Sequence, residues 1–149
     1  MSLYDTDYAQ WAQTQAALLA ARQWEALDLA NLVEEVDDLS RRERRALESR
    51  LLQLLVHLLK WRYQPERRQT GHSWESSILT QRLRLARRLR ESPSLRPQVP
   101  ALVEDLYPDA VRIAARQTRL PEATFPAACP WSVAQVLEAE FWPEPDRPA

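Results

Sequence analysis

The longest uninterrupted pattern in the chain is an apolar stripe at helical spacing. Leu29, Leu32, Val33, Val36, Leu39, Leu47, Leu51, Leu54, Leu55 and Leu58 recur at intervals that put side chains on one face of an α-helix. No proline or glycine interrupts Leu29 through Tyr63, and Asp28 before it is a residue type suited to an N-cap. The spacing therefore predicts one helix over 29–63, about 52 Å long at 1.5 Å per residue. Val36, Leu47 and Leu58 repeat every eleven residues, which fits a straight helix better than a left-handed heptad coil. In the first half of this spine Glu34, Glu35, Asp37 and Asp38 lie off the stripe. In the second half Leu51, Leu52, Leu54, Leu55, Val56, Leu58 and Leu59 leave almost no polar side. A helix that is apolar all round is a buried one, so the spine should run from a solvated acidic end into the centre of a bundle.

Shorter helices are predicted around it. Tyr8, Trp11, Ala12, Leu18 and Leu19 in an Ala/Gln-rich stretch give a helix over about 8–22, with Leu3 and Tyr4 as an extended lead-in. Pro65 ends the spine, and residues 64–72 form a connection. Ser73 could then cap a helix to about Glu91 whose apolar arc is Trp74, Ile78, Leu79, Leu83, Leu85, Ala86 and Leu89, with Arg84, Arg87 and Arg88 opposite. Pro93, Pro97 and Pro100 break the chain before two helical stretches, 101–106 and 109–119, the second started by Pro108. Ser132 and Gln135 have capping-box spacing for a helix to about Glu140, and a proline-rich tail begins near 143. No strand-like alternation interrupts this order. The expected fold is all-α: a single-domain helical bundle over 1–149, built on one long central helix with shorter C-terminal helices.

Composition narrows the chemistry. Gly71 is the single glycine, whereas phosphate-cradling loops and the G-x-S-x-G nucleophile elbow need several glycines within a few residues. Those functions are excluded, and eleven prolines supply the breaks that glycine usually shares. Gly71 marks the connection after the spine, between Arg67/Arg68 and Trp74, as a place to look for function. The lone Cys129 cannot form an internal disulfide. No 18-residue apolar run exists to span a bilayer, and the N-terminal segment lacks the pattern of a secretory signal. These features lead to the expectation of a cytoplasmic protein.

Charge is balanced only in total. Residues 1–40 hold one Arg against eight acids, net −7; residues 41–100 hold fifteen basic against five acidic residues, net +10; residues 101–149 hold four against eight, net −4. Nineteen of twenty cations are Arg, the side chain that pairs bidentately with carboxylate or phosphate.

Several ordered motifs coincide with a known pattern: YDTDYAQW near the start, LDLANLVEEV at 27–36, HLLKWRYQPERR at 57–68, SW at 73–74, QR at 81–82, SPSLRP at 92–97 and ATFPAACPWSVAQVL near the end. In these the chain resembles the bacterial family catalogued as domain of unknown function 29. The resemblance implies a small all-helical bacterial protein and assigns no activity to any residue.

The residues themselves offer three functional readings. Glu34, Glu35, Asp37 and Asp38 match no metal pattern, because a di-iron bundle needs Glu-x-x-His pairs and no acid here stands three residues before His57 or His72. Asp37 can pair with Arg41, and Asp38 with Arg41 or Arg42. No metal ligand, cofactor or catalytic residue is assigned. Glu43, Arg50 and Arg82 fall within apolar stripes, so they form either a register-fixing pair, Glu43 with Arg82, or a pocket for an anionic ligand. Lys60, Trp61, Arg62, Tyr63, Arg67, Arg68 and Trp74 interleave cations with aromatics, as a nucleic-acid surface would. The leading expectation is a non-enzymatic helical protein-interaction module, open to self-association and without a membrane partner. The alternative is nucleic-acid binding through residues 60–90, and the second alternative a metal-dependent enzyme using helix carboxylates.

Overall fold

The computed structural model describes residues 1–68 and 72–144; Gly71 and the tail beyond Glu144 lie outside the described residues. Among the described residues the chain is helical with no strand, and six α-helices follow in order: α1 Leu3–Thr6, α2 Tyr8–Ala20, α3 Leu29–Tyr63, α4 His72–Glu91, α5 Val99–Thr118 and α6 Val133–Leu137. The packing divides into two compact units, Met1–Glu43 and Arg44–Ala149, with the division falling inside α3.

In the first unit, residues 3–6 form a helical turn rather than the expected extended lead-in. Ser2 and Asp5 explain it, since the Asp5 carboxylate accepts from both the Ser2 backbone N–H at 3.2 Å and the Ser2 hydroxyl at 2.7 Å. Asp7 caps α2 by accepting from the Gln10 N–H at 3.0 Å, which satisfies one of the orphan donors of a helix start. Asp28 stands before α3 as expected. Its carboxylate accepts from Trp11 Nε1 at 2.9 Å and from the Asn31 side chain at 2.8 Å. Those bonds, Asn31 first and Trp11 second, hold its carboxyl below the usual range. Buried Gln15 accepts from the Asp28 N–H at 2.8 Å.

The second unit contains the main core. Leu47, Leu51, Leu54, Leu55, Val56, Leu58 and Leu59 of α3 are buried together with Ile78, Leu85 and Leu89 of α4 and Val99, Leu102, Val103, Tyr107, Ala110 and Ala114 of α5. The all-round apolar half of the spine is thus the centre of this core. On α4 the buried line is Ile78, Arg82, Leu85 and Leu89, spaced four, three and four residues apart. Leu79 and Leu83, expected in the same arc, are exposed.

The largest departure concerns α5, which is one helix where two were expected. Pro108 sits inside it. An interior proline removes one hydrogen bond and crowds the preceding turn at a cost of about 3 kcal/mol. Here Val99, Val103, Tyr107, Ala110, Val111, Ala114 and Thr118 keep one buried line on both sides of the proline. At about 25 cal/mol per Å² of apolar surface, burying several such side chains exceeds that cost. Helix α6 is shorter than expected and ends at Leu137, but its capping box forms: Ser132 Oγ accepts from the Gln135 N–H at 3.1 Å and Gln135 Oε1 from the Ser132 N–H at 3.0 Å.

Candidate functional site

The cation and aromatic residues of segment 60–74 turn mainly toward other parts of the second unit. Lys60 Nζ donates to Gln117 Oε1 at 2.9 Å and lies 5.0 Å from the Trp74 ring centroid; burial pulls its pKa down. Trp61 and Trp142 rings lie 4.8 Å apart, and the Arg68 guanidinium stands 4.5 Å from the Trp61 ring. Arg68 also donates to the Trp61 carbonyl at 2.8 Å and the Pro143 carbonyl at 3.0 Å, and reaches Glu144 at 3.5 Å. Arg62 covers Tyr63 at 4.6 Å, and Tyr63 meets Phe125 edge-on at 5.3 Å. Trp61 and Tyr63 therefore pack against the core, and much of this motif ties the C-terminal segment to α3. Arg67 is exposed in the turn after Pro65.

Arg82 performs a similar task at depth. It is 2% exposed, and its guanidinium donates through Nε to the Val136 carbonyl at 2.9 Å, through Nη1 to Phe141 at 2.6 Å and through Nη2 to Gln135 at 3.2 Å. Gln135 and Val136 lie in the last turn of α6, where carbonyls lack intrahelical donors. One planar fork satisfies them while burial lowers the Arg82 pKa. The carbonyls that occupy this guanidinium are main-chain atoms, which no residue type announces. Glu43 belongs to the first unit, whereas Arg50 and Arg82 belong to the second.

Arg50 is half-buried and borders a shallow groove of about 200 Å³ with Ala46, Ser49, Gln53 and Gln81, donating to Gln81 Oε1 at 3.3 Å. Burial first, then the nearby Arg84 and Arg88 charges, hold its pKa below the ordinary value. A patch of three guanidinium groups on α3 and α4 results.

The acidic stretch of α3 is engaged within the first unit. Tyr4 donates to Glu35 Oε1 at 2.6 Å and Tyr8 to Glu35 Oε2 at 2.5 Å. Both phenols hold the Glu35 carboxyl down, and Glu35 in turn pushes Tyr4 up to about 12. Asp37 pairs with Arg41, and Asp38 with Arg42 at 2.9 Å. Among the described residues no group of three or more His, Cys, Asp or Glu is placed to hold a metal ion. His57 Nδ1 lies 2.8 Å from the Gln53 carbonyl, and burial lowers its pKa; this favours a neutral ring donating from Nδ1. Burial raises the Cys129 thiol, which donates to the Trp131 carbonyl at 3.5 Å, so it has little of the thiolate character a nucleophile needs.

What the sequence pattern did not foresee is an apolar surface left open on the spine. Leu29, Val33, Val36 and Leu39 belong to the stripe that is buried farther along α3, yet they are 65, 61, 65 and 57% exposed. Trp24, just before the helix, is 59% exposed. The off-stripe acids were the available signal, because they mark the solvated half of the spine. No described helix is long and apolar enough to cross a membrane.

The family model described as Domain of unknown function DUF29 matches residues 3–142, nearly the whole chain. No curated protein and no solved structure matches it.

Proposed function

The chain belongs to the family described as Domain of unknown function DUF29, and we propose that it acts as a non-enzymatic helical protein-interaction module that can self-associate. The observation that carries this reading is the exposed line Leu29, Val33, Val36 and Leu39 on α3. Single exposed apolar residues are ordinary, whereas a run of them on one helix face is characteristic of an interaction site. An apolar helix face is also one of the recurrent ways in which helices dock into partners. The inward-turned aromatics and the raised Cys129 thiol support the same reading, since they assign several reactive or stacking groups to packing. The test is binding by the full chain to proteins of its native host, comparing wild type with Val33→Asp. Loss of a specific partner with unchanged circular dichroism agrees; identical capture by both chains contradicts.

A second reading, nucleic-acid binding, is supported by the Arg50, Arg84 and Arg88 patch and by the net +10 of residues 41–100. Phosphate neutralisation releases counterions and makes affinity fall steeply with salt. Binding of RNA or DNA that weakens with salt and on Arg84→Glu would favour this reading; absence of binding at low salt would remove it.

A further inference from the structure

Arg50 and Arg84 lack the carboxylate neighbour that other arginines of the same two helices have. On α3 Arg44 meets Glu48 at 3.1 Å, and on α4 Arg87 meets Glu91 at 2.8 Å, each one turn along. No acid stands three or four residues from Arg50 or from Arg84, the separations at which a helix brings side chains together. Arg50 donates through Nη1 to Gln81 Oε1 at 3.3 Å. That is a long contact, and it uses one of the five N–H donors of a guanidinium.

The two cations flank one groove. Ala46, Ser49, Arg50 and Gln53 of α3 line it together with Gln81 of α4. Arg84 and Arg88 follow Gln81 by three and seven residues, so they share its face of α4. Their charges reach Arg50, where they add to burial in holding its pKa low, with no acid among the described residues to offset them. Both sides of the groove belong to the second unit.

Charge, donors and size decide what this groove takes. A phosphate monoester carries about −1.5 to −2 charge at pH 7 and three strong acceptor oxygens, and a guanidinium fork pairs with it bidentately. The Ser49 hydroxyl and the Gln53 amide supply neutral donors beside Arg50. A whole small-molecule ligand occupies about 300–1,000 Å³. A groove of about 200 Å³ therefore holds the charged head of a ligand rather than its body. A nucleic-acid strand is held differently, by a track of cations with stacking aromatics. The residues of that type on the second half of α3 and just after it, Lys60, Trp61 and Arg68, are engaged with Gln117, Trp142 and Pro143. One phosphoryl group matches the groove better than a chain of them.

We propose that the α3–α4 groove beside Arg50 is an anion site for the terminal phosphate of a small phosphate monoester, with Arg50 and Arg84 as its pairing cations. Ser49 and Gln53 orient the phosphate oxygens, and Arg88 adds to the attracting field. The site is independent of the interaction reading, and it gives these arginines a different ligand from the nucleic-acid reading. Of the anion pocket expected from sequence it keeps Arg50, and it puts the α4 arginines in place of Glu43 and Arg82.

The test titrates the full chain at low salt with phenyl phosphate, dimethyl phosphate and a single-stranded oligonucleotide, followed by calorimetry. Phenyl phosphate should bind at one site, and dimethyl phosphate, a diester with a single charge, should bind more weakly. Arg50→Gln should weaken the monoester about tenfold or more, as the loss of a charged hydrogen bond implies. Arg84→Gln should weaken it several-fold, whereas Arg87→Gln, at an arginine already paired with Glu91, should leave it unchanged. Arg84 is exposed, so its variant keeps the test readable even if Arg50→Gln fails to fold. Absence of saturable phenyl phosphate binding at millimolar concentration overturns the proposal. Equal weakening by Arg84→Gln and Arg87→Gln also overturns it, because that marks a general response to positive charge. An oligonucleotide that binds more tightly than the monoester and is weakened by Arg84→Gln overturns it in favour of nucleic acid.

Discussion

The Arg82 guanidinium on α4 donates to the Phe141 carbonyl at 2.6 Å, and through this bond a charged side chain of the core line holds the segment that follows α6. The same fork reaches Gln135 and Val136. Arg68 acts likewise on Pro143 while stacking on Trp61, which stacks on Trp142. Two arginines therefore hold a segment that has little regular structure of its own.

Replacing Arg82 with Met should destabilise the fold by about 3 kcal/mol, because the buried Val136 carbonyl and the part-buried Gln135 and Phe141 carbonyls lose a charged donor. Lys should not restore it, since a single ammonium cannot reproduce a planar fork. Urea unfolding of both variants checks this. A Lys variant as stable as wild type would mean that charge alone, without geometry, suffices.

Tyr4, Tyr8 and Glu35 give the first unit a pH dependence with two edges. Glu35 is held low in the folded state, so its contribution is present above the unfolded carboxyl pKa and is lost as pH falls through the lower folded value. Tyr4 and Tyr8 are raised above 10, Tyr4 to about 12. Their contribution is full below pH 10 and is lost as pH rises toward the folded values. Phenolate absorbance should therefore show two of the four tyrosines titrating late for this reason, with Tyr107 raised separately by burial. In Tyr4→Phe the Glu35 pKa should move up toward the ordinary range by NMR titration; an unmoved value would contradict the pairing.

Pro108 offers a gain in stability. It is exposed, inside α5, and denies the helix one hydrogen bond. Pro108→Ala should stabilise the chain by about 1–2 kcal/mol, the helix gain of about 3 kcal/mol being offset by the added freedom of the unfolded chain. Thermal unfolding measures it, and a lower midpoint would show that the proline ring itself is needed in the packing of α5.

The bounds of α3 were legible in the sequence because nothing in Leu29–Tyr63 breaks a helix and both flanks carry stop signals. The acidic half was legible as solvated, but the four apolar residues exposed within it were not, because periodicity identifies a face without saying what covers it. Helix α5 was misread at Pro108, where the local rule favours a break and the buried line from Val99 to Thr118 overrides it. Arg82 stood out as a cation in an apolar line, yet its partners are main-chain atoms with no sequence signature. Lys60, Trp61, Tyr63 and Arg68 had the residue types of a binding surface, and tertiary packing uses them mostly as internal contacts.

On the proposed reading, the apolar face of α3 around Val36 serves association and contributes little to folding. Unfolding free energy and sedimentation, measured on the same preparations of wild type and Val36→Asp, separate those two roles. The variant should keep monomer stability within about 0.5 kcal/mol of wild type, as for an exposed site, and should lose concentration-dependent self-association. A strongly destabilised chain, or self-association that survives the aspartate, would overturn the reading.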